Sequence, residues 1–234
     1  MPQVVSLSFY RFDSALARLW AMGMMGAARR PLARVPDIGF WKLCGSGGGA
    51  GFAPRLNIDV IAILATWPDA QIAKERTQNA SIFQRYQARA ADTWTVFLSP
   101  DSVRGAWAGQ TPFSVSNTAA KGPIGVLTRA TIKPSILRRF WGRVPNISDR
   151  IDSDPNVLFK IGIGETPLFQ QITFSLWPDT NSMVNFARTG HHADAIKAVR
   201  DEGWFREELY ARFTLLSETG NWRGVAPLKQ MDPV

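Results

Sequence analysis

"ILATWPDAQ" (63–71) and "TFSLWPDTN" (173–181) are the same sentence written twice. Each runs from an apolar, β-prone stretch into Trp-Pro-Asp and then into polar, helix-compatible residues. The residue before a proline favours extended backbone, proline suits a first helical turn, and aspartate there meets the positive end of the helix. Trp-Pro-Asp therefore marks a strand ending and a helix opening, at Trp67 and again at Trp177.

Other matches follow in the same order. "ARVPDIG" (33–39) returns as "GRVPNIS" (142–148), "FWKLCGSG" (40–47) as "LFKIGIGE" (158–165), and "RGAWAG" (104–109) as "TGNWRG" (219–224). Leu16, Leu19 and Trp20 share their spacing with Leu137, Phe140 and Trp141. Ordered self-similarity of this kind reads as a duplicated unit. Each copy reads β-α-β-β-α-β, the ferredoxin-like pattern. The first places strands at 3–12, 39–45, 58–67 and 93–99. Its first helix is capped by Asp13 or Ser14 and buries Leu16, Leu19, Trp20 and Gly23. The second places strands at 123–132, 157–164, 170–177 and 208–216, with helices at 134–144 and within 179–202. The expected architecture is α+β: two tandem ferredoxin-like units, residues 1–112 and 120–234, packed as an α+β barrel-like pair around a join of linker composition.

The 234 residues carry a net charge of +8, mostly as scattered arginine, which favours acidic partners: anionic lipid, an acidic redox protein or nucleic acid. No nucleic-acid-binding motif accompanies the charge. The single cysteine excludes an internal disulfide and fits a reducing compartment. No apolar run is long enough for a transmembrane helix, and the N-terminus does not read as a signal peptide. The expectation is a cytoplasmic protein, with adsorption to a membrane face left open. Nine Trp and 14 Phe against 3 Tyr suit either an apolar pocket or a large core.

Candidate chemistry is sparse. "CGSGGGAG" (44–51) lacks the Gly-Lys-Ser/Thr ending of a phosphate loop and sits where a hairpin belongs. Cys44 has Gly162 as its counterpart and reads as a buried hydrophobe. Glu207 and Glu208 read as surface charge. "RTGHHADAIKAVR" (188–200) holds both histidines, and no Cys pair or HExxH spacing offers zinc a site. On a helix, His192 shares the apolar stripe of Ile196 and Val199, whereas His191 lies with Ala195 and Ala198. An inward imidazole is either a hydrogen-bonded core residue or a metal ligand. One histidine suffices for haem, because the porphyrin supplies the other nitrogens.

"VVSLSFYRFDS", "GFWKLCGSG", "ILATWPD", "WTVFLSP", "RGAWAG", "VLTRATIKP", "DPNVLFKIGIGE", "TFSLWPD", "HADAIKAVRDEGWFREELYARF" and "NWRG" together resemble the spheroidene monooxygenase family of carotenoid ketolases. The resemblance runs from about residue 3 to 224. It implies a haem b enzyme that oxidises C-2 of an acyclic carotenoid (spheroidene to spheroidenone) with O2 and electrons from reduced ferredoxin, located in the cytoplasm or peripherally on the photosynthetic membrane. The family's one histidine in this segment falls on His192, which becomes the expected axial ligand; His191 is the alternative. Two other readings stay open: a haem carrier or sensor without turnover, and a non-haem ferredoxin-like module holding an apolar ligand.

Overall fold

The computed structural model describes residues 2–48, 53–116, 122–142, 154–166, 168–188 and 201–229. The chain enters as β1 (Val4–Arg11), α1 (Ala15–Ala27), α2 (Arg29–Ala33), β2 (Trp41–Gly48), β3 (Ala53–Trp67), α3 (Ala70–Asn79), α4 (Ser81–Gln87) and β4 (Asp92–Gly105). It continues with β5 (Ile124–Ile132), a short 3-10 turn (Pro134–Ile136) running into α5 (137–142), β6 (Phe159–Gly164), β7 (Gln170–Trp177), α6 (Thr180–Arg188) and β8 (Phe205–Gly220).

All eight strands close into one antiparallel barrel in the order β1-β3-β2-β6-β7-β5-β8-β4. The first four strands lie in the order β4-β1-β3-β2, and the last four in the equivalent order β8-β5-β7-β6. The fold is thus α+β, as expected, but the strands form a single closed sheet rather than two sheets facing each other. Closure removes every edge that would otherwise be free to pair with another chain.

Trp67 pairs with Val4, the first residue of β1, and Trp177 pairs with Ile124, the first residue of β5. Asp69 accepts the Ile72 N–H at 2.8 Å, and Asp179 accepts the Ser182 N–H at 2.8 Å, so both Trp-Pro-Asp aspartates cap their helices. Where β4 meets β8, Trp94 faces Gly220 and, at the other end, Gly105 faces Leu209. Both strands then enter the same turn. Gly105 and Gly220 have φ of +93° and +80°, and the bridges Trp107–Gln110 and Trp222–Val225 close the two turns. A Cβ on Gly105 would lie 2.1 Å from the Glu208 carbonyl, and one on Gly220 would lie 2.1 Å from that of Thr93. Only glycine fits either position.

Alternation along each strand sends one set of side chains inward and the other outward. The inner set includes Leu7, Phe9, Cys44, Leu64, Trp94, Val96, Leu127, Ile163, Phe174, Ala211 and Phe213, so both halves build one interior. The outer face of β1–β4 carries a second core with α1–α4, including Tyr10, Leu43, Ile61, Ile63, Trp67, Phe83, Tyr86 and Phe97.

Several sequence expectations are corrected. Leu16 and Leu19 are not in the α1 stripe: they are 81% and 59% exposed, while Ala17, Trp20, Ala21 and Met24 face the sheet. Gly23 is exposed as well. Of the two proposed caps, Ser14 takes the position and accepts the Ala17 N–H at 3.2 Å. Pairing also shifts the counterpart of Cys44. Leu43 lies opposite Ile63 and Gly162 opposite Thr173, so Leu43 corresponds to Gly162 and Cys44 to Ile163. The one-residue slip matters because it exchanges the two faces of a strand; Cys44 and Ile163 both point inward.

Candidate functional site

Side chains from both halves pack inside the barrel, in two regions of different character. One region is aromatic: Phe9 stacks on Trp94 at 5.3 Å, Trp94 meets Phe159 at 4.6 Å, and Trp222 closes on Phe9 at 5.8 Å. The aromatic excess of the sequence is thus spent largely on the core.

The other region is polar and centres on Trp107. Its indole N–H donates to Glu165 at 2.9 Å, and Lys42 reaches the same carboxylate at 3.0 Å. The Lys42 ammonium and the Arg129 guanidinium lie 5.7 and 5.8 Å from Trp107 ring centroids, within cation–π range. Arg129 is almost wholly buried and pairs with Glu207, which also accepts the N–H groups of Ala108 and Gly109 at 3.0 and 2.7 Å. Burial pushes the Glu207 carboxyl upward, but those two N–H groups and Arg129 outweigh it and hold the carboxyl below its ordinary range. Glu207 is therefore half-buried and tied to the buried Arg129, not the free surface charge expected from Glu207-Glu208. Sequence reasoning missed this group. The available signal was alternation: Lys42 lies two residues from Cys44, and Arg129 two from Leu127.

Cys44 is buried, and desolvation raises its thiol far above the usual range; Glu165 adds to the rise while Lys42 and Arg129 oppose it. The expectation of an inert cysteine holds, although cations do lie nearby. Tyr10 and Tyr86 stack at 5.1 Å in the first half's outer core, and burial raises both phenols. Among the described residues no group of three or more His, Cys, Asp or Glu could hold a metal ion. His191 and His192 lie outside the described residues.

The glycine-rich stretch behaves as a hairpin: β2 and β3 pair antiparallel from Trp41–Ala65 to Gly48–Ala53, and residues 49–52 lie outside the described residues.

The outer face of the second half differs most from its counterpart. Counting from the Val4–Trp67 and Ile124–Trp177 pairs, Tyr10 corresponds to Ala130, Ile63 to Thr173 and Ile61 to Gln171; Leu43 corresponds to Gly162. Side chains that fill the helix–sheet layer of the first half are therefore replaced by small or polar ones in the second. Ile63 is fully buried, whereas Thr173 is half-buried. At the border of this thinned face, α6 packs through Phe186 on Trp177, with ring centroids 5.2 Å apart. The chain passes directly from α6 into the segment bearing His191 and His192.

A spheroidene monooxygenase of Rhodobacter capsulatus is 48% identical to this chain over 229 residues, which cover 96% of this chain and 95% of that one. The chain belongs to the spheroidene monooxygenase family. The enzyme of that name from Cereibacter sphaeroides is 47% identical, covering 97% of this chain and 71% of that one, and the one from Rubrivivax gelatinosus is 34% identical, covering 89% and 80%. No family model matches the chain. Two solved aldoxime dehydratases, one in complex with butyraldoxime, superpose on this spheroidene monooxygenase family member with TM-scores of 0.64 and 0.61. They cover 92% of it, and 80% and 82% of their own chains, at 8% and 10% identity. At that distance they share its fold and nothing further is carried over.

Proposed function

We propose that this monooxygenase oxidises C-2 of an acyclic carotenoid, spheroidene to spheroidenone, with O2 and reduced ferredoxin, and that haem b would be held on the outer face of β5–β8, with His192 as the residue that would bind its iron. The observation that supports the placement is that Ala130, Gly162 and Thr173 stand on the outer face of the second half where Tyr10, Leu43 and Ile63 stand on that of the first, so this face carries smaller side chains. The barrel interior is lined by packed side chains from both halves, and both imidazoles of the chain fall in the sequence segment that follows α6.

When bound, the haem supplies activation of O2. The work of the chain is to hold and to exclude. His192 would hold the haem iron, and a partner for its second ring nitrogen would fix its tautomer. Apolar side chains receive the long polyene, place its terminal methylene and keep water out. Two oxidations at one carbon, each drawing electrons from ferredoxin, give the ketone after loss of water.

We also propose that residues 1–112 and 120–234 are two copies of one ferredoxin-like unit. The shared strand order, the equivalent partners of Trp67 and Trp177, and the matching glycine turns support it. Divergence between the copies then gives one half the cofactor and the other a solid core.

The test is absorption spectroscopy with turnover of spheroidene. His192→Ala should lose the Soret band and the ketolation, and His191→Ala should keep both. A Soret band without turnover in the wild-type protein would favour a haem carrier or sensor. No Soret band in protein purified from haem-replete cells would favour a non-haem module.

A further inference from the structure

The solvent face of α1 is composed of Ala15, Leu16, Leu19, Met22, Gly23, Gly26 and Ala27, all exposed. It carries no charge. The single charged residue of the helix, Arg18, turns aside to pair with Asp59 at 2.8 Å and to donate to the Phe12 carbonyl. Leu16, Leu19 and Met22 stand out at 81%, 59% and 45% exposure. Isolated exposed leucines are ordinary, but a helix side with no polar residue is not.

The fold does not require this exposure. The helix is already anchored on its other side by Ala17, Trp20, Ala21 and Met24. The matching residues in the second half, Leu137 and Phe140, are half-buried, and Phe140 packs on Phe205.

Arg29, Arg30 and Arg34 follow the apolar face directly, all exposed, and none pairs with an acid among the described residues. Asp37, the next acid along the chain, is already bound by Arg76 at 2.7 Å. An apolar helix face bordered by exposed arginines that pair with no acid among the described residues matches the interface of an anionic bilayer, with acyl boundary for the leucines and phosphate for the guanidinium groups.

We propose that α1 is the surface by which this enzyme docks on an anionic membrane, with Leu16, Leu19 and Met22 inserted at the acyl boundary and Arg29, Arg30 and Arg34 against lipid phosphate. Docking brings the enzyme to the phase in which a long polyene dissolves, and its evidence stands apart from the haem and substrate reading.

The experiment is co-sedimentation of the full chain with carotenoid-free vesicles, either phosphatidylglycerol mixed with phosphatidylcholine or phosphatidylcholine alone. The wild type should sediment with the anionic vesicles and weaken as salt rises. Leu16→Glu with Leu19→Glu should cut the bound fraction at least tenfold, with unchanged circular dichroism. Arg29→Glu with Arg30→Glu should act in the same direction. Wild-type-like binding by the L16E/L19E variant overturns the inference, as does a wild type that binds no vesicle. A dimer that the same pair of glutamates dissociates, without vesicle binding, would make the face an interface between copies and overturn it equally. No haem or turnover enters the readout, so this result and the spectroscopic one fail independently.

Discussion

At Glu207 a carboxylate, two backbone N–H groups and a buried guanidinium meet. Because folding lowers its pKa, Glu207 stabilises the fold at pH values above the ordinary carboxyl range, and that contribution is lost as pH falls through the folded value. Glu207→Gln should therefore cost about 2 kcal/mol near neutral pH and flatten the acid limb of the stability curve; denaturant titrations at several pH values check it. An unchanged acid limb would mean that the charge has no part in the Trp107 network. Cys44 gives a second residue-level test. Buried and held as a thiol, it should resist a thiol reagent in the native protein and react fully once urea unfolds it. The sequence reading of Cys44 as a buried hydrophobe agrees with its burial, although its counterpart is Ile163 and not Gly162. The sequence did not reveal the Lys42–Glu165–Arg129–Glu207 network, because Lys42, Arg129 and Glu207 lie on three different strands, Glu165 just past the end of a fourth, and only barrel closure gathers them.

At the scale of elements, the signals carried by local backbone chemistry were legible. Trp-Pro-Asp marks the end of β3 and of β7, and its aspartate caps the next helix both times. Asp69→Ala should destabilise the protein by about 1 kcal/mol in thermal or urea unfolding, the usual cost of losing a cap. The matched turns make a sharper comparison. Gly105→Ala and Gly220→Ala should destabilise by similar amounts, since each puts a Cβ 2.1 Å from a carbonyl oxygen at positive φ. One tolerated and one damaging substitution would contradict the equivalence of the turns. Signals that depend on tertiary context were misread. The strand expected at 93–99 runs on through Pro100 to Gly105, because register shifts on both sides of Pro100 absorb its missing N–H. In α1, the large apolar residues suggested a stripe through Leu16 and Leu19, but the sheet takes the stripe through Ala17, Trp20 and Met24. Two overlapping apolar stripes on a charge-poor helix cannot be ranked by periodicity alone.

At the scale of the molecule, strands from both halves enclose one interior, so neither half has a core of its own inside the barrel. Thermal unfolding should therefore follow one transition, coincident by tryptophan fluorescence and far-ultraviolet circular dichroism. The two halves part company on their outer faces, where pairing registers set Tyr10 against Ala130 and Leu43 against Gly162. This difference was not legible in the sequence, because matching "FWKLCGSG" to "LFKIGIGE" by residue type puts the two strands one residue out of register and compares opposite faces. The most direct test of the cofactor placement is to give the second half the first half's side chains. In Ala130→Tyr with Gly162→Leu, the absorption spectrum should lose its Soret band while circular dichroism remains that of the wild type. A folded double variant with a full Soret band would contradict the placement.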